Sequence, residues 1–185
     1  MAAVSDADTA LLGLLSEQPM HAWQIDKEVQ WRDMRSWTDL SQSTIYRQLR
    51  SLQAAGLVAV RSEEAEGRLR KVYSLTDDGV VSLRDRLCGL LSEPEHSKWK
   101  VDLGTYNLDV LTVSDAIDCL ARYRVKLEEA AAGYRDLEAF LIESGCPRHR
   151  LAVARRPIRL IEAEILWLDE YVTELQTAAP RPELG

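Results

Sequence analysis

Cysteine and histidine are scarce, with three of each in 185 residues. Cys88, Cys119 and Cys146 are odd in number, widely spaced and without a CxxC pair, so neither a disulfide framework nor a thiolate zinc site is implied. His21, His96 and His149 stand apart from any serine or cysteine in a triad-like context, and no glycine-rich phosphate loop occurs. Carboxylates fall as ordinary helix-surface pairs such as Glu128 and Glu129 rather than as an acid and base pair. The expectation is therefore a protein that is not an enzyme and carries no metal or cofactor. Long apolar runs are also missing. The opening MAAVSDADTA has neither a basic region nor an apolar stretch of signal-peptide length, and no segment approaches a membrane span. A cytoplasmic protein with no membrane partner is expected.

Positive charge is in deficit overall, with a net charge of -7 and a pI near 5.1. The deficit is uneven. Residues 1–92 carry 11 Lys/Arg against 13 Asp/Glu, while residues 93–185 carry 12 against 17. Between Ser41 and Leu75 the balance reverses, and six Lys/Arg stand against three Asp/Glu. A basic patch inside an acidic chain points to a local polyanion contact.

That patch lies on recognisable elements. Ser41 is an N-cap for a helix in which Ile45, Leu49 and Leu52 share one face, while Ser43, Arg47 and Arg50 lie opposite with Tyr46 at the edge. Gly56 ends the helix where a left-handed cap is expected, and Leu57 to Val60 has β-propensity. Arg68, Arg70 and Lys71 follow Gly67 at the tip of a charged hairpin that returns through Val72 to Leu75. Upstream, Ser5 or Asp6 caps a first helix that Pro19 stops, and His21 to Trp31 forms a second. Three helices followed by a two-stranded wing describe a winged helix. Such a module places helix N-terminal side chains at base edges and wing cations on phosphates. The same module also serves as a protein-contact surface, and that alternative stays open at this level.

Thr76 opens a further helix to about Leu91, with Val80, Leu83, Leu87 and Leu90 or Leu91 on one side. Residues 93–107 lack periodicity. From Val113 the apolar positions Ala116, Leu120, Tyr123, Leu127, Ala130, Tyr134, Leu137 and Leu141 alternate spacings of three and four, with Ser114 and Asp115 as the start. Gly145 and Pro147 turn the chain, and Leu151, Ala154, Ile158, Ile161, Ile165, Leu168, Val172 and Leu175 repeat the pattern. Pro157 predicts a kink or a helix start within this second run. Two seams joined by a tight turn make an antiparallel hairpin. Leu160, Trp167, Leu168 and Tyr171 are its candidate dimer-interface residues, suited to an isologous contact.

The blocks LLGLLSEQPMHAWQI at 11–25, STIYRQLRSLQAAGLV at 43–58 and GRLRKVYSLTDDG at 67–79 together resemble the PadR family of bacterial transcriptional regulators. The resemblance implies a homodimer that binds a palindromic operator in double-stranded DNA and represses, paired through C-terminal helices and often released by a small molecule. It assigns Gln42, Ser43, Thr44, Tyr46, Arg47 and Arg50 to a recognition helix and Arg68, Arg70 and Lys71 to the wing. Ser43 and Arg47 depart from the glycine and proline frequent there, and Ala22-Trp23 departs from Gly-Tyr.

The expected architecture is mainly α with a small β-wing: a winged helix-turn-helix at 1–92, a linker or docking segment at 93–112, a helical dimerisation domain at 113–178 and a flexible tail at 179–185. Five tryptophans stand against one phenylalanine. Trp23, Trp31, Trp37, Trp99 and Trp167 are thus candidates to line a cavity between winged helix and hairpin that takes a flat aromatic effector. Trp23, Trp99 and Tyr106 are the preferred ligand residues.

Overall fold

The computed structural model describes residues 4–65 and 68–177, apart from the side chains of Ser36, Ala65 and Arg68. Gly67 and the 179–185 tail lie outside the described residues, as does the side chain of Arg68. The chain divides into two compact units, Met1–His96 and Ser97–Gly185.

In the first unit, α1 (Asp6–Leu15) starts at a capping box, where the Ser5 hydroxyl accepts from the Asp8 amide and Asp8 accepts from the Ser5 amide. Leu11, Leu12, Leu14 and Leu15 bury along it. The helix α2 (Ala22–Trp31) contributes Ile25 and Val29 to the same core. A single 3-10 turn at Met34–Ser36 leads to α3 (Gln42–Ala54), where Ile45, Leu49 and Leu52 are buried as the helical spacing predicts. Each such side chain removed from water contributes about 1.5–3 kcal/mol, so this shared core holds the three helices together. Arg32 braces the α1–α2 turn by donating to both Glu17 and Glu28 at 2.6 to 2.8 Å, and these bonds hold its guanidinium above the ordinary arginine pKa.

The sheet has three strands rather than the two expected. β2 (Val58–Ala65) and β3 (Arg68–Leu75) form the wing, and the two-residue β1 (Met20–His21) pairs antiparallel with β3 on its other side, Met20 opposite Tyr73. Gly56 takes φ 75° at the end of α3, as its position predicts. Thr76 then caps α4 (Asp77–Ser92) by accepting from the Gly79 amide, while its hydroxyl donates to the Gly56 carbonyl. Leu83 is buried, whereas Val80, Leu87, Leu90 and Leu91 are exposed. Only the first turns of α4, with Gly79, Ser82 and Leu83, reach the core, and Arg86 ties the helix to Asp6 at 2.7 Å.

The second unit begins with order where the sequence lacked periodicity: α5 (Lys100–Tyr106) and a 3-10 turn at Leu108–Val110. α6 (Val113–Glu143) is capped by Thr112 rather than by Ser114, and Gly145 at φ 68° turns the chain into α7 (Arg148–Thr177). The two run antiparallel, with Arg124 to Asp169 at 2.9 Å, Arg135 to Glu162 at 3.2 Å and Arg155 to Glu138 at 2.5 Å spaced along them.

Two details of the hairpin differ from expectation. Ala131, at 2% exposure, occupies the seam in place of Ala130. A helix of 3.6 residues per turn drifts from a strict 3.5 repeat, so the buried stripe moves by one residue after Leu127. Pro157 neither starts nor ends α7, which continues nine residues upstream of it. The burial of Leu151 and Ala154 before the proline and Ile158 after it offsets the roughly 3 kcal/mol an interior proline costs.

Candidate nucleic-acid interface

The α3 N-terminus is polar and open. Ser41 accepts from the Thr44 amide at 3.2 Å, and its hydroxyl lies 3.0 Å from that of Ser43 and 2.9 Å from that of Thr44. Three hydroxyls thus sit together at the start of a helix, a polar end suited to an anionic oxygen. Gln42, Ser43, Tyr46, Arg47 and Arg50 are exposed, with Tyr46 at 42%. Arg47 reaches Gln48 at 3.4 Å, and Arg50 donates to the Tyr46 carbonyl at 3.3 Å, which lays it back along the helix.

The wing comes alongside this face. A cleft of about 490 Å³ is lined by Tyr46 and Arg50 of α3, Arg70, Lys71 and Tyr73 of β3, and His21, Ala22 and Trp23 at the start of α2. Tyr73 is buried, and burial pushes its phenol above the ordinary value, with Tyr46 adding to the rise and Arg50 opposing it. The structure therefore brings together Tyr46, Arg50, Arg70 and Lys71 from the expected recognition and wing residues, with Gln42, Ser43, Thr44 and Arg47 on the same helix.

His21 and Tyr73 were absent from the sequence-level assignment. His21 lies 3.1 Å through Nδ1 from the Lys71 carbonyl and stacks on Trp23 at 6.2 Å between centroids, and Lys27 sits 4.9 Å over the Trp23 ring. A Gln three residues after His21, accepting from its amide at 2.8 Å, is the local signal that marks it as a helix start. Its pairing with β3 depends on a strand fifty residues away and leaves no local trace.

The aromatic candidates do not share one cavity. Trp23 lines the cleft just described, whereas Trp99 and Trp167 line a separate cleft of about 280 Å³ within the second unit, together with Val101, Asp102, Leu160 and Glu164. Tyr106, at 86% exposure, lines neither, and Trp31 and Trp37 are likewise exposed and outside both. Among the interface candidates, Leu160 is exposed, and Trp167 and Tyr171 are partly buried and stacked at 5.4 Å. Leu168 is corrected. At 1% exposure within the single chain it belongs to the hairpin's own core with Leu108, Ala116, Leu120 and Leu175, because it faces α6.

A recognition helix with an exposed polar face beside a β-wing defines the winged helix-turn-helix class. Residues 11–85 match the Transcriptional regulator PadR-like family. A curated relative, the negative transcriptional regulator PadR of Bacillus subtilis, is 28% identical over 135 residues, covering 70% of this chain and 74% of that protein. The crystal structure of Bacillus subtilis PadR in complex with operator DNA superposes with a TM-score of 0.74 at 21% identity, covering 90% of this chain and 97% of that one. The same protein in complex with p-coumaric acid gives 0.75 at 21% identity, covering 92% and 95%. Residues 11–85 thus form a PadR-like domain, and the chain shares the fold of the PadR structures it superposes on.

Proposed function

We propose that this chain binds double-stranded DNA at a palindromic operator as a homodimer and acts as a repressor released by a small effector. The observation that carries the DNA reading is the cleft in which Tyr46 and Arg50 of α3 meet Arg70 and Lys71 of the wing. Cations on two elements, with hydroxyls at the helix start, suit a phosphate backbone, and Gln42, Arg47 and the Ser43–Thr44 pair suit base edges. The operator complex of Bacillus subtilis PadR supports the same reading by analogy of fold.

Dimerisation is supported by apolar side chains that the hairpin leaves in water. Leu137, Phe140, Ile142, Val153 and Leu166 are all exposed on the hairpin, apolar surface of the kind that suits a protein contact. A second copy covers it by an isologous contact, and two recognition helices at fixed spacing then read two half-sites. The effector role follows the p-coumaric acid complex of the relative and the presence of an aromatic cleft here.

The test is fluorescence anisotropy of a labelled DNA fragment from the chain's own promoter, titrated across a salt series. Affinity is expected to fall steeply with salt, and the double variant Arg47→Ala/Arg50→Ala to lose the specific site. Salt-independent binding, or capture of a stoichiometric protein partner with no DNA affinity, favours a protein-contact winged helix instead.

A further inference from the structure

The cleft of the helical unit has a chemistry opposite to that of the DNA face. Leu160, Glu164 and Trp167 lie four and three residues apart on one face of α7, and Trp99, Val101 and Asp102 come from the start of α5. At about 280 Å³ it is just below the roughly 300–1,000 Å³ found for small-molecule sites, room for a ligand of one or two fused rings. Two indole rings supply flat π-surface, and Trp167 is braced by parallel stacking on Tyr171, with ring planes 9° apart.

The charges in the lining are both negative. Asp102 and Glu164 have no basic partner among the described residues, whereas Glu128, Glu138, Glu162 and Asp169 elsewhere on the hairpin are each engaged by an arginine. Glu164 accepts one bond, from the Tyr123 hydroxyl at 2.7 Å, which leaves its charge uncompensated. The pair projects enough negative potential that Glu164 and Asp102 both oppose ionisation of the neighbouring Tyr123 phenol.

We propose that this cleft binds a planar aromatic cation, held by the faces of Trp99 and Trp167 and by the carboxylates of Asp102 and Glu164. The inference rests on the effector part of the function proposed above and fixes the charge of its ligand. A cation gains from the ring quadrupoles and from both carboxylates at once. An aromatic acid such as the p-coumaric acid bound by the relative places a third carboxylate beside two.

Equilibrium dialysis of the full-length protein against N-methylquinolinium, and separately against 2-naphthoate as a two-ring anion of similar size, tests this without DNA present. The cation is expected to bind at least tenfold more tightly. The Asp102→Asn/Glu164→Gln variant should lose about tenfold in cation affinity and nothing in anion affinity, and Trp99→Leu should weaken the cation as well. Because Asp102 is exposed, Asp102→Asn alone, expected to lose about threefold, keeps the test valid if the double variant fails to fold by circular dichroism. Equal or tighter binding of 2-naphthoate, or cation binding indifferent to these substitutions, overturns the proposal. A protein that binds its operator but not the cation fails this inference alone, and one that binds the cation but not DNA fails only the regulatory reading.

Discussion

The Tyr123 hydroxyl of α6 donates to Glu164 of α7 at 2.7 Å, a bond between the two long helices at a partly buried position. Burial first, and then the bond to Glu164 and the charges of Glu164 and Asp102, push the phenol up from an ordinary value of 10.0 to about 12. A raised pKa means the folded state holds this proton more tightly than the unfolded chain. The stabilisation is therefore complete below pH 10 and is lost as pH climbs from 10 toward about 12. A spectrophotometric tyrosinate titration should show Tyr123 ionising last, and Tyr123→Phe should remove that step and lessen the alkaline loss of stability. An unchanged alkaline profile contradicts the assignment.

Arg70 and Lys71 of the wing and Arg50 of α3 line one cleft, so their contributions to DNA affinity are predicted to be electrostatic. Each cation that neutralises one phosphate adds about 0.9 to the slope of log K against log salt. Arg70→Ala should lower that slope by about one and weaken all sequences alike. Arg47→Ala, on the outer face of α3, should instead relax discrimination at particular base pairs, at about 1–3 kcal/mol per pair. Anisotropy titrations of operator and scrambled DNA at several salt concentrations separate the two effects.

What the sequence made legible follows from the range of each interaction. The helix α3 was readable because Ser41, the Ile45, Leu49 and Leu52 stripe and Gly56 act within a few residues of one another. β1 was not, since two residues count as a strand only through their pairing with Tyr73 and Val72. The hairpin seam was readable as a pattern and misread at Ala130, where helical drift rather than composition decides the buried face. Asp102 and Glu164 escaped notice because their shared cleft exists only once α5 meets α7. Trp99 drew attention through its residue type, which says nothing about the charge beside it.

Gly79 sits against the turn that ends α3. A Cβ built there would lie 2.2 Å from the Leu57 carbonyl oxygen and 2.8 Å from Leu75 Cδ1. The first neighbour is backbone, held because that carbonyl accepts from the Thr76 amide at 3.2 Å, so it moves only by disturbing the strand pairing. Gly79→Ala should therefore destabilise the first unit by about 1–3 kcal/mol or more, despite alanine's better helix propensity. Gly89 on the same helix has open space around its Cβ position, and Gly89→Ala should be neutral or stabilising. Paired chemical denaturation curves of the two variants decide the point.

Leu168 and Phe140 separate the chain's own core from a contact with a second copy. Leu168 is 1% exposed and packs in the hairpin core, so Leu168→Ala removes buried methyl groups and leaves a cavity, at a cost of about 2–5 kcal/mol. That loss belongs to each chain and should appear at every protein concentration. Phe140, at 58% exposure, has little to lose in a single chain. If the hairpin pairs two copies, Phe140→Ser should shift the sedimentation equilibrium toward monomer, lower the melting temperature and make it less dependent on concentration, since association adds to apparent stability by mass action. A wild-type protein that sediments as a monomer at every concentration, with a Phe140→Ser variant melting at the same temperature, removes the dimer from the proposed mechanism and with it the fixed spacing of two recognition helices.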